Sequence, residues 1–109
     1  MTKTSRYRLG NGLQVVHSRN CATGMVAVNL LYRVGAKNES PEYTGLAHLC
    51  EHLMFGGTAA VPKFDSVMVE AGGDNNAWTN SDITNYYDIL PFENVETAFW
   101  AEADRMQNL

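Results

Sequence analysis

Long apolar runs, basic clusters and a cysteine framework are all missing from this sequence. No apolar stretch approaches the ~20 residues that a membrane-spanning helix needs. The N-terminus, MTKTSRYRLG, carries no apolar segment of the kind that marks a secretory signal. A cytoplasmic protein without a membrane partner is therefore expected. Cysteine occurs twice, at Cys21 and Cys50, and that spacing specifies no disulfide. Basic residues are few and scattered. Net charge is −4, from 12 acids against 8 bases. Residues 1–39 carry Lys3, Arg6, Arg8, Arg19, Arg33 and Lys37 against Glu39 alone, and the rest of the chain is acidic. No basic stripe suits a nucleic acid, so none is expected as a partner. A chain of 109 residues holds one domain at most.

What is present reads as strands, helices, strands, helix. The segment 7–17, YRLGNGLQVVH, predicts a hairpin turning at Asn11-Gly12. The segment 24–34 predicts a long, largely buried strand, and 35–43 a polar loop. A helix is expected from Gly45 to Phe55, with Thr44 as its N-cap and Gly56-Gly57 as its stop. A second helix is expected from Pro62 to Ala71, with Phe64, Val67, Met68 and Ala71 on one face. Two strands joined through Ser81-Asp82 follow. A last helix runs from Phe92 to Met106, with Val95, Phe99, Ala103 and Met106 on one side. This order implies an α+β fold: a mostly antiparallel sheet with helices packed on one face.

Chemistry concentrates in HLCEH, residues 48–52. At ~100° per residue, Leu46, Leu49, Cys50 and Leu53 share one side of the helix. His48, Glu51, His52 and Phe55 share the other. The leucines are expected to pack, and Cys50 with them as a small core residue. The two imidazoles lie one turn apart and can reach a single zinc ion. Glu51 lies beside them, placed to take a proton from water. The alternative is a pair of ordinary core or surface histidines. A catalytic zinc needs three protein ligands. His17, Glu70, Glu96, Glu102 and Asp104 are the candidates within the chain. Glu102 falls inside an apolar stripe and needs a partner. Arg105 or the arginine-rich hairpin is favoured over the metal for that role.

Several segments together resemble the pitrilysin (insulinase-like) family of zinc metallopeptidases: LGNGLQVV, YRVGAKNES, TGLAHLCEHLMFGGT, GGDNNAWTNSDITNYY and AEADRM. They occur in the family's order. His-x-x-Glu-His is also the inverted zinc-peptidase signature. The resemblance implies zinc as cofactor, His48 and His52 as its ligands, and Glu51 as general base in peptide hydrolysis. It implies a third ligand, a glutamate, beyond Leu109, so that residues 1–109 form the first part of one lobe. It implies that Asn76, Ala77, Trp78 and Thr79 form a strand edge binding an extended peptide substrate by backbone pairing. Asn76 is the side chain expected to hold the peptide, whereas Trp78 has an equal alternative as a core aromatic. Tyr86 and Tyr87 are expected to be packing residues on opposite faces. The family also implies a second lobe or subunit as partner. A non-catalytic partner lobe, or an inactive fragment, is the alternative function. S-ribosylhomocysteine lyase has a related helix, but its third ligand is a cysteine, and none follows Cys50 here. Uncovered sheet edges imply self-association or marginal stability of the 109-residue chain.

Overall fold

A computed structural model describes residues 3–20 and 22–108. Cys21 lies outside the described residues. The chain opens with the expected hairpin. Strands β1 (Lys3–Arg8) and β2 (Gln14–Arg19) pair antiparallel, with Arg8 opposite Gln14 at the turn. This ribbon is almost entirely exposed. It helps to explain a radius of gyration of 15.1 Å, above the ~13 Å of a close-packed chain of this size.

The body of the molecule is a second, three-stranded antiparallel sheet. It contains β3 (Met25–Tyr32), β4 (Asp74–Thr79) and β5 (Thr84–Pro91), in the order β3-β5-β4. The central strand β5 is the most buried. β3 is not the largely buried strand expected from its composition. Only Val28 in it is fully buried, because β3 lies on the outside of the sheet and is covered on one face. Register places Val26, Val28 and Leu30 opposite Leu90, Asp88 and Tyr86. That face carries the helices.

Three helices cover it: α1 (Leu46–Met54), α2 (Phe64–Glu70) and α3 (Val95–Asn108). A single 3₁₀ turn precedes α3 at Phe92–Asn94 and another lies within the polar loop at Ala36–Asn38. α2 buries the face its periodicity predicts, with Phe64, Met68 and Ala71 in the core and Val67 at its margin. Pro62 precedes the helix, which begins after Lys63. Antiparallel sheet and one-sided helices together make the expected α+β architecture. No helix among the described residues is long and apolar enough to cross a membrane.

Two helix faces differ from expectation. In α1 the leucines point outward: Leu46, Leu49 and Leu53 are each about half exposed, and Cys50 is exposed too. The helix packs instead through Glu51 and Met54. A mostly apolar cavity of about 400 Å³ lies beside the exposed face, lined by Leu46, Cys50, Tyr32 and Tyr86 among others. In α3 the expected stripe is also outward, with Phe99 58% and Met106 50% exposed. The buried residues are Ala98, Ala101, Glu102 and Arg105, at i, i+3, i+4, i+7. The small alanines let α3 approach the sheet closely, and an ion pair continues that face.

That ion pair is deeply buried. Arg105 and Glu102 are each 2% exposed. The guanidinium donates to both Glu102 oxygens, at 3.0 and 2.7 Å. It lies over the rings of Phe64, Tyr86 and Phe55, at 3.8, 4.6 and 5.4 Å from their centroids. It also donates to the Met54 carbonyl at 3.4 Å. Arg105 therefore ties α3 to α1, to α2 and to β5. The partner expected for Glu102 is the one found, and Glu102 is not available to a metal.

Asp88 completes the cluster. It is fully buried, and no protein donor reaches either of its oxygens. Its neighbour is the Glu102 carboxylate, and two carboxyl groups bond to each other only through a shared proton. Burial first, then the hydrogen bond and negative charge of Glu102, push Asp88 up to about 8, against the opposing pull of Arg105. Burial likewise pushes the Tyr86 phenol up to about 12, which keeps it neutral as a packing residue.

Two outcomes are expected. Arg105→Ala should lower the unfolding free energy by ~3–5 kcal/mol, because it strands a buried Glu102 charge. Denaturant titration measures this. Asp88 has a folded pKa raised above its unfolded value, so the folded state holds its proton longer. Its contribution to stability should fall as pH rises from about 4 to about 8 and then level off. In Asp88→Asn that part of the pH dependence should vanish in thermal melts.

Candidate metal centre

The HLCEH helix is held at both ends. At its start, Gly45 and not Thr44 is the N-cap. Gly45 has φ +85°, a conformation that a residue with a Cβ adopts only with strain. No side chain at the cap position accepts from the first turn. Glu39 does so from the preceding loop, taking the N–H groups of Gly45 at 2.5 Å and Ala47 at 3.1 Å. A carboxylate there satisfies two otherwise unpaired amides and meets the positive end of the helix. Nothing local in the sequence marks Glu39 as a cap. Its signal, an acid six residues before the cap, falls outside the spacing of a capping box. At the other end, Phe55 and Gly56 close the helix onto His52 and Leu53 carbonyls, and Arg105 takes that of Met54.

His48 and His52 project from this fixed helix with ring centroids 4.5 Å apart. Their Nε2 atoms are 2.9 Å apart. One imidazole N–H then points at the bare nitrogen of the other. Two tetrahedral zinc ligands at ~2.0–2.1 Å from the ion would stand about 3.3 Å apart. The pair converges as such ligands do, so the donors fit zinc with a small rotation. Both side chains are exposed, whereas Glu51 between them is 8% exposed. The Glu51 carboxylate accepts a 2.5 Å hydrogen bond from the Thr79 hydroxyl on β4.

A cleft of about 290 Å³ opens here, lined by Glu51, His52, Phe55, Asp65, Asn75 and Asn76. Of the expected site residues, Glu51, His52 and Asn76 line this cleft, and His48 lies against His52. Ala77 and Trp78 do not line the cleft. Trp78 is 44% exposed and pairs opposite Asn85, on the sheet face away from the helices, so it is not a core aromatic. Asn75, Ala77 and Thr79 share the helix-side face, opposite Asp88, Tyr86 and Thr84. Asp65 and Asn75 went unrecognised in the sequence. Asn75 Oδ1 is buried with no hydrogen-bond partner. Among the described residues β4 has a neighbour on one side only. The Asn75 and Ala77 amides donate to the side chains just before them, Asp74 and Asn76, at 2.9 and 2.8 Å.

No group of three metal-ligating side chains occurs among the described residues. Glu102 is held by Arg105. Asp104 accepts from Thr58 and Asn108. His17 lies on the exposed ribbon, and Glu70 and Glu96 are on exposed helix surface.

Comparison with known proteins bears on this arrangement. A family described as insulinase, peptidase family M16, matches residues 14–109. This chain belongs to that family. It is similar to a Helicobacter pylori zinc protease, PqqE, at 36% identity over all of this chain and 25% of the relative. It is similar to human insulin-degrading enzyme at 33% identity over 83% of this chain and 9% of that protein. A crystal structure of a protease from Helicobacter pylori superposes with a TM-score of 0.92 at 36% identity, covering 100% of this chain and 27% of its own. The M16 chain described here therefore spans about a quarter or less of these relatives.

Removing the Glu39 carboxylate should loosen α1 of this M16 chain. Glu39→Ala is expected to cost ~1–2 kcal/mol of stability, in the range of lost helix caps. Thermal unfolding followed by circular dichroism checks this, and an unchanged midpoint would remove Glu39 from the account.

Proposed function

We propose that residues 1–109 carry the water-activating part of a zinc peptidase site. His48 and His52 hold the ion through Nε2, with a third ligand drawn from outside the described residues. Glu51 is the general base. The observation that carries this reading is the convergence of the two Nε2 atoms, 2.9 Å apart, beside a buried carboxylate on the same helix.

Bound zinc acidifies water and offsets negative charge as it develops on a carbonyl oxygen. The remaining steps belong to the chain. Glu51 takes a proton from the attacking water and later delivers it to the leaving amine. Its burial keeps competing solvent away from the carboxylate. The open side of β4 pairs with an extended peptide, which places a scissile bond near the cleft without reading its sequence. The Asn76 side chain must give up its bond to the Ala77 amide for that pairing, and is then free to turn to the substrate. Peptides are thus the substrate class, and a second lobe or subunit would close the cleft. The relatives, a zinc protease and insulin-degrading enzyme, support the same class of chemistry.

Zinc content and peptide cleavage measured together test this. Glu51→Gln should retain zinc and lose cleavage by ~10²–10⁴-fold, the usual contribution of a general base. His52→Ala should lose both. Full cleavage by Glu51→Gln would contradict the role given to Glu51.

A further inference from the structure

One contact at the cleft takes no part in the steps of proton transfer or peptide pairing. Thr79 belongs to the proposed peptide edge, yet its hydroxyl is turned inward onto Glu51. We propose that Thr79 is a positioning residue for the general base, and this rests on Glu51 having that role. The Thr79 hydroxyl donates to Glu51 Oε2 at 2.5 Å, and it is the one side-chain donor to that carboxylate among the described residues. Glu51 is 8% exposed, so solvent does little to orient it. With Oε2 engaged, Oε1 is the oxygen left to receive a proton. A carboxylate has a freely turning terminal torsion, and this bond removes that freedom.

The location of Thr79 gives the contact its meaning. Thr79 ends β4 and pairs with Thr84, which is itself anchored by donating to the Val34 carbonyl at 2.9 Å. The base is therefore fixed to the sheet as well as to its own helix. β4 is also the strand on which the peptide would lie. One hydroxyl thus sets the proton acceptor in register with the strand that holds the scissile carbonyl. A side chain serving only to satisfy a buried carboxylate would have no such consequence for turnover.

The test uses the full-length zinc-loaded protein for kinetics and the metal-free protein for stability. Thr79→Val keeps the shape and removes the donor, and Thr79→Ser restores it. A hydrogen bond to a charged group corresponds to about tenfold or more in rate. Thr79→Val should lower kcat by at least that factor, with KM and zinc content unchanged, and Thr79→Ser should recover most of it. In the metal-free protein, a Thr79→Val, Glu51→Gln double-mutant cycle should be non-additive by a similar factor in the unfolding constant. Wild-type kcat in Thr79→Val would overturn the proposal. So would a Thr79→Ser variant as slow as Thr79→Val, or an additive cycle. If Glu51→Gln retains full activity, the general-base reading fails and this one falls with it. If activity depends on Glu51 but not on Thr79, only the positioning role is lost.

Discussion

The Arg105 guanidinium is the contact on which the rest of the fold depends. Desolvating it is expensive, and the structure offsets that cost in three ways. Two bonds go to Glu102, aromatic faces surround it, and the Met54 carbonyl accepts a further hydrogen bond. Each of those groups belongs to a different part of the chain. The last turn of α1, the α2 face and the central strand all meet at one charge near the end of α3. A small sheet of three strands buries few large apolar side chains. A buried ion pair with fixed geometry adds little net stability, but it is intolerant of rearrangement. It holds α1 at one angle to β4, and that angle sets where the Glu51 carboxylate meets Thr79.

From that anchor outward, α1 is constrained at every level. Its N-terminal amides are held by Glu39, its C-terminal carbonyl by Arg105, and its central carboxylate by Thr79. The two exposed imidazoles contact each other, with their Nε2 atoms 2.9 Å apart. A helix so tied presents its two imidazoles with little freedom, the preorganisation that the proposed zinc site would need. The buried Asp88 beside Glu102 is the counterweight. It places a second carboxyl in a region with one compensating cation, where burial and the neighbouring Glu102 push its pKa up.

Much of this was legible in the sequence, because the signals were local. The Asn11-Gly12 turn, the α2 stripe and the two strands around Ser81-Asp82 all follow from periodicity and turn residues within a few positions. The site helix was legible too, since His-x-x-Glu-His needs only helical spacing to bring its groups together. What stayed hidden depends on contacts distant in sequence. The outward leucines of α1 and the outward Phe99 and Met106 of α3 follow from which side the sheet occupies. Hydrophobicity ranks faces, but it does not say where the sheet will be. Glu39 reaches the helix across a loop, and Thr79 reaches Glu51 across 28 residues. Asn75 and Asp65 enter the cleft because β4 and α2 border it, which no spacing within either element reveals.

The central claim is that His48 and His52 are the zinc ligands this chain supplies. X-ray absorption at the zinc edge tests it most directly, on the loaded full-length protein and its His48→Ala, His52→Ala double variant. Two imidazole nitrogens at ~2.0–2.1 Å in the parent, absent from the double variant, are the predicted result. An unchanged spectrum in the double variant would mean that zinc is held elsewhere, and would contradict the account.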